Sequence, residues 1–223
     1  MKEFFQLKNF RRGKFYKLSE KIIFNQTIRN KDFSEFSLSQ IDFINCELDS
    51  TSFPCTKCKN LYFKNCVLRN MSFKKSELEN FTIVNCKLLS IDFSRSELDT
   101  FTIVNCHLDD VSFGAADLYD FNFQNSQLNN ILFSYCSLDL VKIKNSTLKN
   151  ITVNNSTCYK EISENGKIIL TSIPIEDYAS FQKEIIVNDS NDDQVLKSTL
   201  ILFVFVTLVV YSFLNPILFN IIW

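Results

Sequence analysis

The chain has 223 residues, 46% of them hydrophobic, and a formal charge of −1. That length holds one substantial domain with appendages, and the near-neutral balance excludes a partner recognised by overall charge. Three glycines, three prolines and 23 phenylalanines exclude a glycine-loop nucleotide binder and a disordered polar chain, and they predict an interior packed with Phe.

Residues 1–32 form a basic amino-terminal arm or cap, with nine Lys/Arg against three Asp/Glu. Arg11, Arg12, Lys14 and Lys17 interleave with Phe4, Phe5, Phe10 and Phe15, a composition suited equally to contact with anionic lipid and to an ordinary solvated cap. No secretory signal peptide is read at this end.

From Phe33 a five-residue step takes over. Phe33, Leu38, Phe43, Leu48, Phe53, Cys58, Phe63 and onward to Val153 are Phe, Leu, Ile or Val with Cys58 as the exception, and no insertion breaks the register. Neither a 3.6-residue helix nor a two-residue strand has this period, so the chain must turn a corner at each step. Two residues before the Leu-type centres stands a small residue, as in Cys46, Cys66, Ser76, Cys86, Ser96 and Cys106. Two before the Phe-type centres stands a large one, as in Ile41, Leu61, Met71, Phe81, Ile91 and Phe101. The repeating unit is therefore ten residues made of two unlike fives, and the segment FTIVNC at 81–86 recurs at 101–106.

On these residues, 33–158 resembles the pentapeptide-repeat family, and Leu18, Ile23 and Ile28 keep the register further upstream. The resemblance implies an all-β fold, a right-handed four-sided β-helix with one five-residue unit per side and twenty residues per coil. Equivalent residues then stack about 4.8 Å apart, which predicts an Asn ladder through Asn45, Asn65, Asn85, Asn105, Asn125 and Asn145 and a Cys column through Cys46, Cys66, Cys86 and Cys106. The large residues before the Phe-type centres depart from the family pattern, which prefers a small residue there. Whether they point inward or lean outward as apolar stripes stays open. A leucine-rich repeat frame also fits Leu98, Phe101, Ile103, Cys106 and Leu108, but its second half should differ from its first, and here it does not.

The residue types for chemistry do not converge. Cys55 and Cys58 have metal-like spacing, yet the register turns Cys58 inward and Cys55 outward, and the remaining thiols read as compact buried filler. The single histidine, His107, faces outward beside Asp109 and Asp110. No catalytic, cofactor-binding or metal residue is assigned, and the expectation is a protein that is not an enzyme and needs no cofactor. Acidic columns Glu47/Glu77/Glu97 and Asp49/Glu79/Asp99 are interrupted by Lys57, Lys59, Lys87 and Arg69.

Residues 159–197 lose the register and read as a linker or carboxy-terminal cap, ending in the polar run 188–193. Residues 198–223 contain no charged side chain, which predicts a transmembrane helix with Tyr211 and Trp223 as interface anchors. A single span there places the chain in a membrane with the repeat domain in the cytosol, and buried reduced thiols agree with that compartment. The functional expectation is a membrane-tethered, non-catalytic scaffold that binds a protein partner. The family suggests an alternative, a DNA mimic that binds a topoisomerase, and a third reading is a secreted bacterial effector inserting in a host membrane. Nucleic acid is not an expected partner, and the oligomeric state is open.

Overall fold

Each long strand lies between two strands twenty residues away. Glu97–Val104 pairs in parallel with Glu77–Val84 on one side and Asp117–Gln124 on the other, so Phe101 sits over Phe81 and Val104 over Val84. The two copies of FTIVNC are thus stacked neighbours. In this computed structural model, which describes residues 3–4, 17–164, 167–175 and Ala179, the same step recurs to give an all-β solenoid of about seven coils. One sheet of eleven strands runs from Glu3–Phe4 to Lys167–Ile175, and a second of seven runs from Thr27–Arg29 to Thr147–Asn154.

The corners come from the backbone. Every fifth residue from Glu20 to Asn155 has φ between 48° and 63°, four corners to each twenty-residue coil. This left-handed conformation suits Asn, whose short polar side chain bonds locally, and Asn fills half of the corners. Between corners the sides run 36–40, 41–45, 46–50 and 51–55, and so on in later coils. Of the Asn ladder expected through Asn145, the steps from Asn45 to Asn105 carry side-chain bonds between successive coils: Asn65 Nδ2 donates to Asn45 Oδ1 at 3.1 Å, Asn85 to Asn65 at 3.3 Å, and Asn105 to Asn85 at 3.2 Å.

All the five-step centres from Leu18 to Ile143 are buried, and so are the large residues two before the Phe-type centres. Phe81, Phe101 and Phe121 are fully enclosed, which settles the open direction as inward. The interior accommodates them because bulky sides face each other across the coil, while the Leu-type sides carry small residues. One Phe stack runs Phe33, Phe53, Phe73, Phe93, Phe113, Phe133 with centroids 4.8–5.3 Å apart. A second, Phe81, Phe101 and Phe121, meets it edge-on, as in the 5.4 Å contact of Phe93 with Phe101 at 83°. Offset stacks and edge contacts are the favoured aromatic geometries.

Both ends carry extra strands. Glu3–Phe4 adds in parallel beneath Lys21 and Ile22. At the other end Ser156–Glu164 turns back as an antiparallel hairpin with Lys167–Ile175, and Ile175 is buried. The proposed span 198–223, the polar run 188–193 and the arm residues Arg11, Arg12 and Lys14 lie outside the described residues. Among the described residues no helix is long and apolar enough to cross a membrane.

Candidate interaction face

The small inward residues do more than leave room. Ser76 Oγ donates to the Phe53 carbonyl at 2.5 Å and accepts from the Thr56 amide, and Ser96 repeats both bonds one coil later. On the opposite side the Cys column does the same with sulfur. The amides of Cys46, Cys66 and Cys86 donate to the thiols of Cys66, Cys86 and Cys106 at 3.2–3.4 Å, and Cys106 passes the pattern to Ser126. These two spines satisfy corner peptide groups that the ladder misses, as buried backbone requires. All eight cysteines are free thiols, Cys58 is buried and Cys55 is exposed. Burial pushes the Cys58 thiol above its ordinary range and lifts Cys136 to about 11.

With the interior committed, chemistry is left to outward columns. His107 Nδ1 lies 3.2 Å from Gln127 Oε1 in the next coil. Asp109 accepts from the amides of Asn129 and Asn130, and Asp110 from the Ser90 hydroxyl. These three residues are occupied by neighbouring coils and are not organised around a common point. Asp49 is held below the usual carboxylate range by hydrogen bonds from Asn70 and Ser50. Partial burial lifts Asp92, but the Ser94 amide and Lys74, 3.0 Å away, outweigh it and leave the group lowered.

The acidic columns need one correction. Glu47 pairs with Val67 on the seven-stranded sheet, whereas Glu77, Glu97 and Asp117 stack with Lys57 on the other. Thirty residues are one and a half coils, so Glu47 lies across the solenoid from Glu77. Likewise Asp49 stacks with Arg69, while Glu79 and Asp99 stack with Lys59 and Tyr119. One side therefore carries two parallel acidic columns, Glu77/Glu97/Asp117 and Glu79/Asp99, with Asp139 stacked beyond Tyr119.

Along that side the charge changes with height. At its amino-terminal end Lys57 Nζ reaches Glu77 at 2.7 Å and Lys59 Nζ reaches Glu79 at 2.6 Å. Exposed pairs of this kind add little stability but cancel the local field. Further on, no Lys or Arg among the described residues pairs with Glu97, Asp99, Asp117 or Asp139, and Asp99 accepts only a 3.0 Å bond from Thr100 within the same strand. These four carboxylates line an open groove of about 450 Å³ together with Tyr119 and Tyr159.

The exposed large hydrophobics fall in the same place. Of the five on the described surface, Tyr119, Tyr135, Leu140 and Tyr159 sit on this side or at its two bounding corners, in the last coils; Phe24 lies elsewhere. Tyr135 is 69% and Tyr119 is 50% exposed. Five-step reading did not single these residues out, because it follows the interior. A signal was present at the corners, where Tyr135 and Leu140 are the two large apolar residues among turns that Asn fills half of the time.

Residues 81–153 match the model of the family described as pentapeptide repeat region. A comparison with the curated proteins finds no match. Among solved structures, the chain is similar to the pentapeptide repeat protein Rfr23 from the cyanobacterium Cyanothece 51142, at 14% identity over 60% of this chain and 89% of that one, with a TM-score of 0.24. It is also similar to a trypsin-treated variant of QnrB1, a plasmid-mediated fluoroquinolone resistance protein, at 17% identity over 63% and 93%, TM-score 0.25. A third is HetL, a pentapeptide repeat protein involved in heterocyst differentiation regulation from the cyanobacterium Nostoc sp. strain PCC 7120, at 12% identity over 73% and 95%, TM-score 0.21. Within a run of five-residue units on every side from Leu18 to Val153, residues 81–153 thus form a pentapeptide repeat region.

Proposed function

We propose that the chain is a membrane-tethered, non-catalytic scaffold whose solenoid binds a protein partner on the cytosolic side of the membrane. The observation that carries the binding role is the division of labour in each coil. Inward positions are committed to packing and to the two hydrogen-bonded spines, while outward columns change residue type freely from coil to coil. A stacked repeat of this kind presents an extended surface on a rigid core. The tether rests on the 26 residues 198–223, which carry no charge and are long enough to span a bilayer, and eight free thiols suit a reducing compartment.

Carbonate washing of membranes from cells expressing the full chain tests the tether. The full chain should stay in the pellet and a chain ending at residue 197 should wash off; release of both while folded would overturn it. The DNA-mimic alternative draws on the unpaired carboxylates of the acidic side, but Lys57 and Lys59 interrupt that side with close ion pairs. Inhibition of gyrase supercoiling by the chain ending at residue 197 would favour the mimic over the scaffold.

A further inference from the structure

We propose that the carboxy-terminal end of the acidic side is the docking surface for an extended, arginine-bearing segment of the partner protein, an inference that rests on the scaffold reading and names its contact. The starting point is the aromatic patch. Tyr119 and Tyr159 project from the groove itself, and Tyr135 and Leu140 flank it at the two corners. Exposed apolar side chains scattered singly need no explanation, but four gathered on one side of the last coils mark an interaction surface.

The charge around the patch selects the occupant. Glu97, Asp99, Asp117 and Asp139 share the groove with the two tyrosines, and no described cation pairs with them. Guanidinium is the side-chain group that satisfies both neighbours, because its flat face stacks on a phenol ring while its edge donates in parallel to a carboxylate. Geometry favours an extended segment. The two columns lie on either side of the buried Leu98 and Leu118, two residues apart on each strand, and coils follow at about 4.8 Å. A chain laid along the groove sends alternate side chains to left and right, so arginines of both parities meet a carboxylate column.

The corners support this assignment independently of charge. A bulky residue at φ near +55° is disfavoured, yet Tyr135 has φ 56° and Leu140 has φ 52°. Asn60 and Asn80 fill the corner stacked with Leu140, whereas the corner stacked with Tyr135 holds Lys75, Arg95 and Ala115. These two corners place exposed apolar side chains on either border of the same groove.

The test uses the full chain in detergent and three fluorescent synthetic peptides of equal length, alternating Ser with Arg, Lys or Glu. The Arg peptide should bind, the Lys peptide several-fold more weakly, and the Glu peptide not at all. Asp117→Asn and Tyr119→Ala should each weaken Arg-peptide binding about tenfold, while Asp109→Asn on the other sheet leaves it unchanged. Equal loss from Asp109→Asn, or equal binding of the Arg and Lys peptides, would reduce the effect to general charge and overturn the proposal. Self-association abolished by Tyr119→Ala would reassign the face to a second copy of the chain. Proximity labelling in the native cell separates this inference from the scaffold reading. Neighbours lost in the Asp117→Asn/Tyr119→Ala chain support both, neighbours retained sink this face alone, and no neighbours for either chain sinks the scaffold as well.

Discussion

At each corner an L-residue with a Cβ adopts the left-handed region at a cost of roughly 1–2 kcal/mol, which a side chain that bonds locally offsets in part. Asn85 both fits its corner and joins the ladder, donating to Asn65 and accepting from Asn105. Asn85→Ala should therefore lower unfolding free energy by about 1–2 kcal/mol. Leu140→Asn should act in reverse and raise it by about 0.5–1 kcal/mol, since Leu140 is exposed and Asn suits its left-handed corner better. Urea titration of both variants measures the difference, and a loss of stability in Leu140→Asn would contradict the corner argument. A second test at this scale uses Cys136. Burial is the main cause that lifts its pKa to about 11, so the native state holds a proton that the unfolded chain has released. Its contribution is complete below the ordinary thiol pKa of about 8.5 and disappears as pH rises through the folded value. Stability should then fall between about pH 8.5 and 11, and Cys136→Ser, which keeps the spine bond pattern of Ser96 and Ser156, should flatten part of that slope.

Within one side of the solenoid, residues two apart on a strand share a face, so the large residue and the Phe-type centre both point inward. That much follows from strand geometry, and the fold was legible from the five-step register because each missing or extra residue would break every stack above it. What the register could not show was whether the interior had room. The answer lies across the coil, where the spines of Ser and Cys on the small sides leave space for Phe81, Phe101 and Phe121 to reach Phe73, Phe93 and Phe113 edge-on. Phe101→Ala removes a ring stacked at 4.9 Å on Phe81 and at 4.8 Å on Phe121, and should cost about 3–5 kcal/mol by thermal or urea unfolding. The outer face was less legible. Glu47 belongs with Glu77 only if thirty residues bring the chain back to the same side, and the true return is twenty. Tyr119, Tyr135 and Tyr159 obey no interior rule, so their convergence emerges only once columns are laid side by side.

For the whole molecule, each coil contacts only the coils above and below, and stability is close to a sum of nearest-neighbour terms. Deletion of one complete coil, residues 87–106, should then leave a folded chain. His107 would follow Cys86 in the place of Lys87, Leu108 would stack on Leu68, Phe113 on Phe73 and Phe121 on Phe81, preserving every column type. The urea m-value should drop by roughly one coil in seven, because less surface is exposed on unfolding. Deletion of five residues, 102–106, keeps all centres pointing inward yet should not fold. It would move Val111 into the spine position above Cys86, whose buried amide loses its thiol acceptor, and would put Phe121 in the place of Ala116 above Ser96, so both tight sites gain a bulky group. Circular dichroism and urea titration of the two deletions distinguish a twenty-residue coil from a merely five-residue period. Equal tolerance of both would show that the alternation of large and small sides does not determine how coils stack.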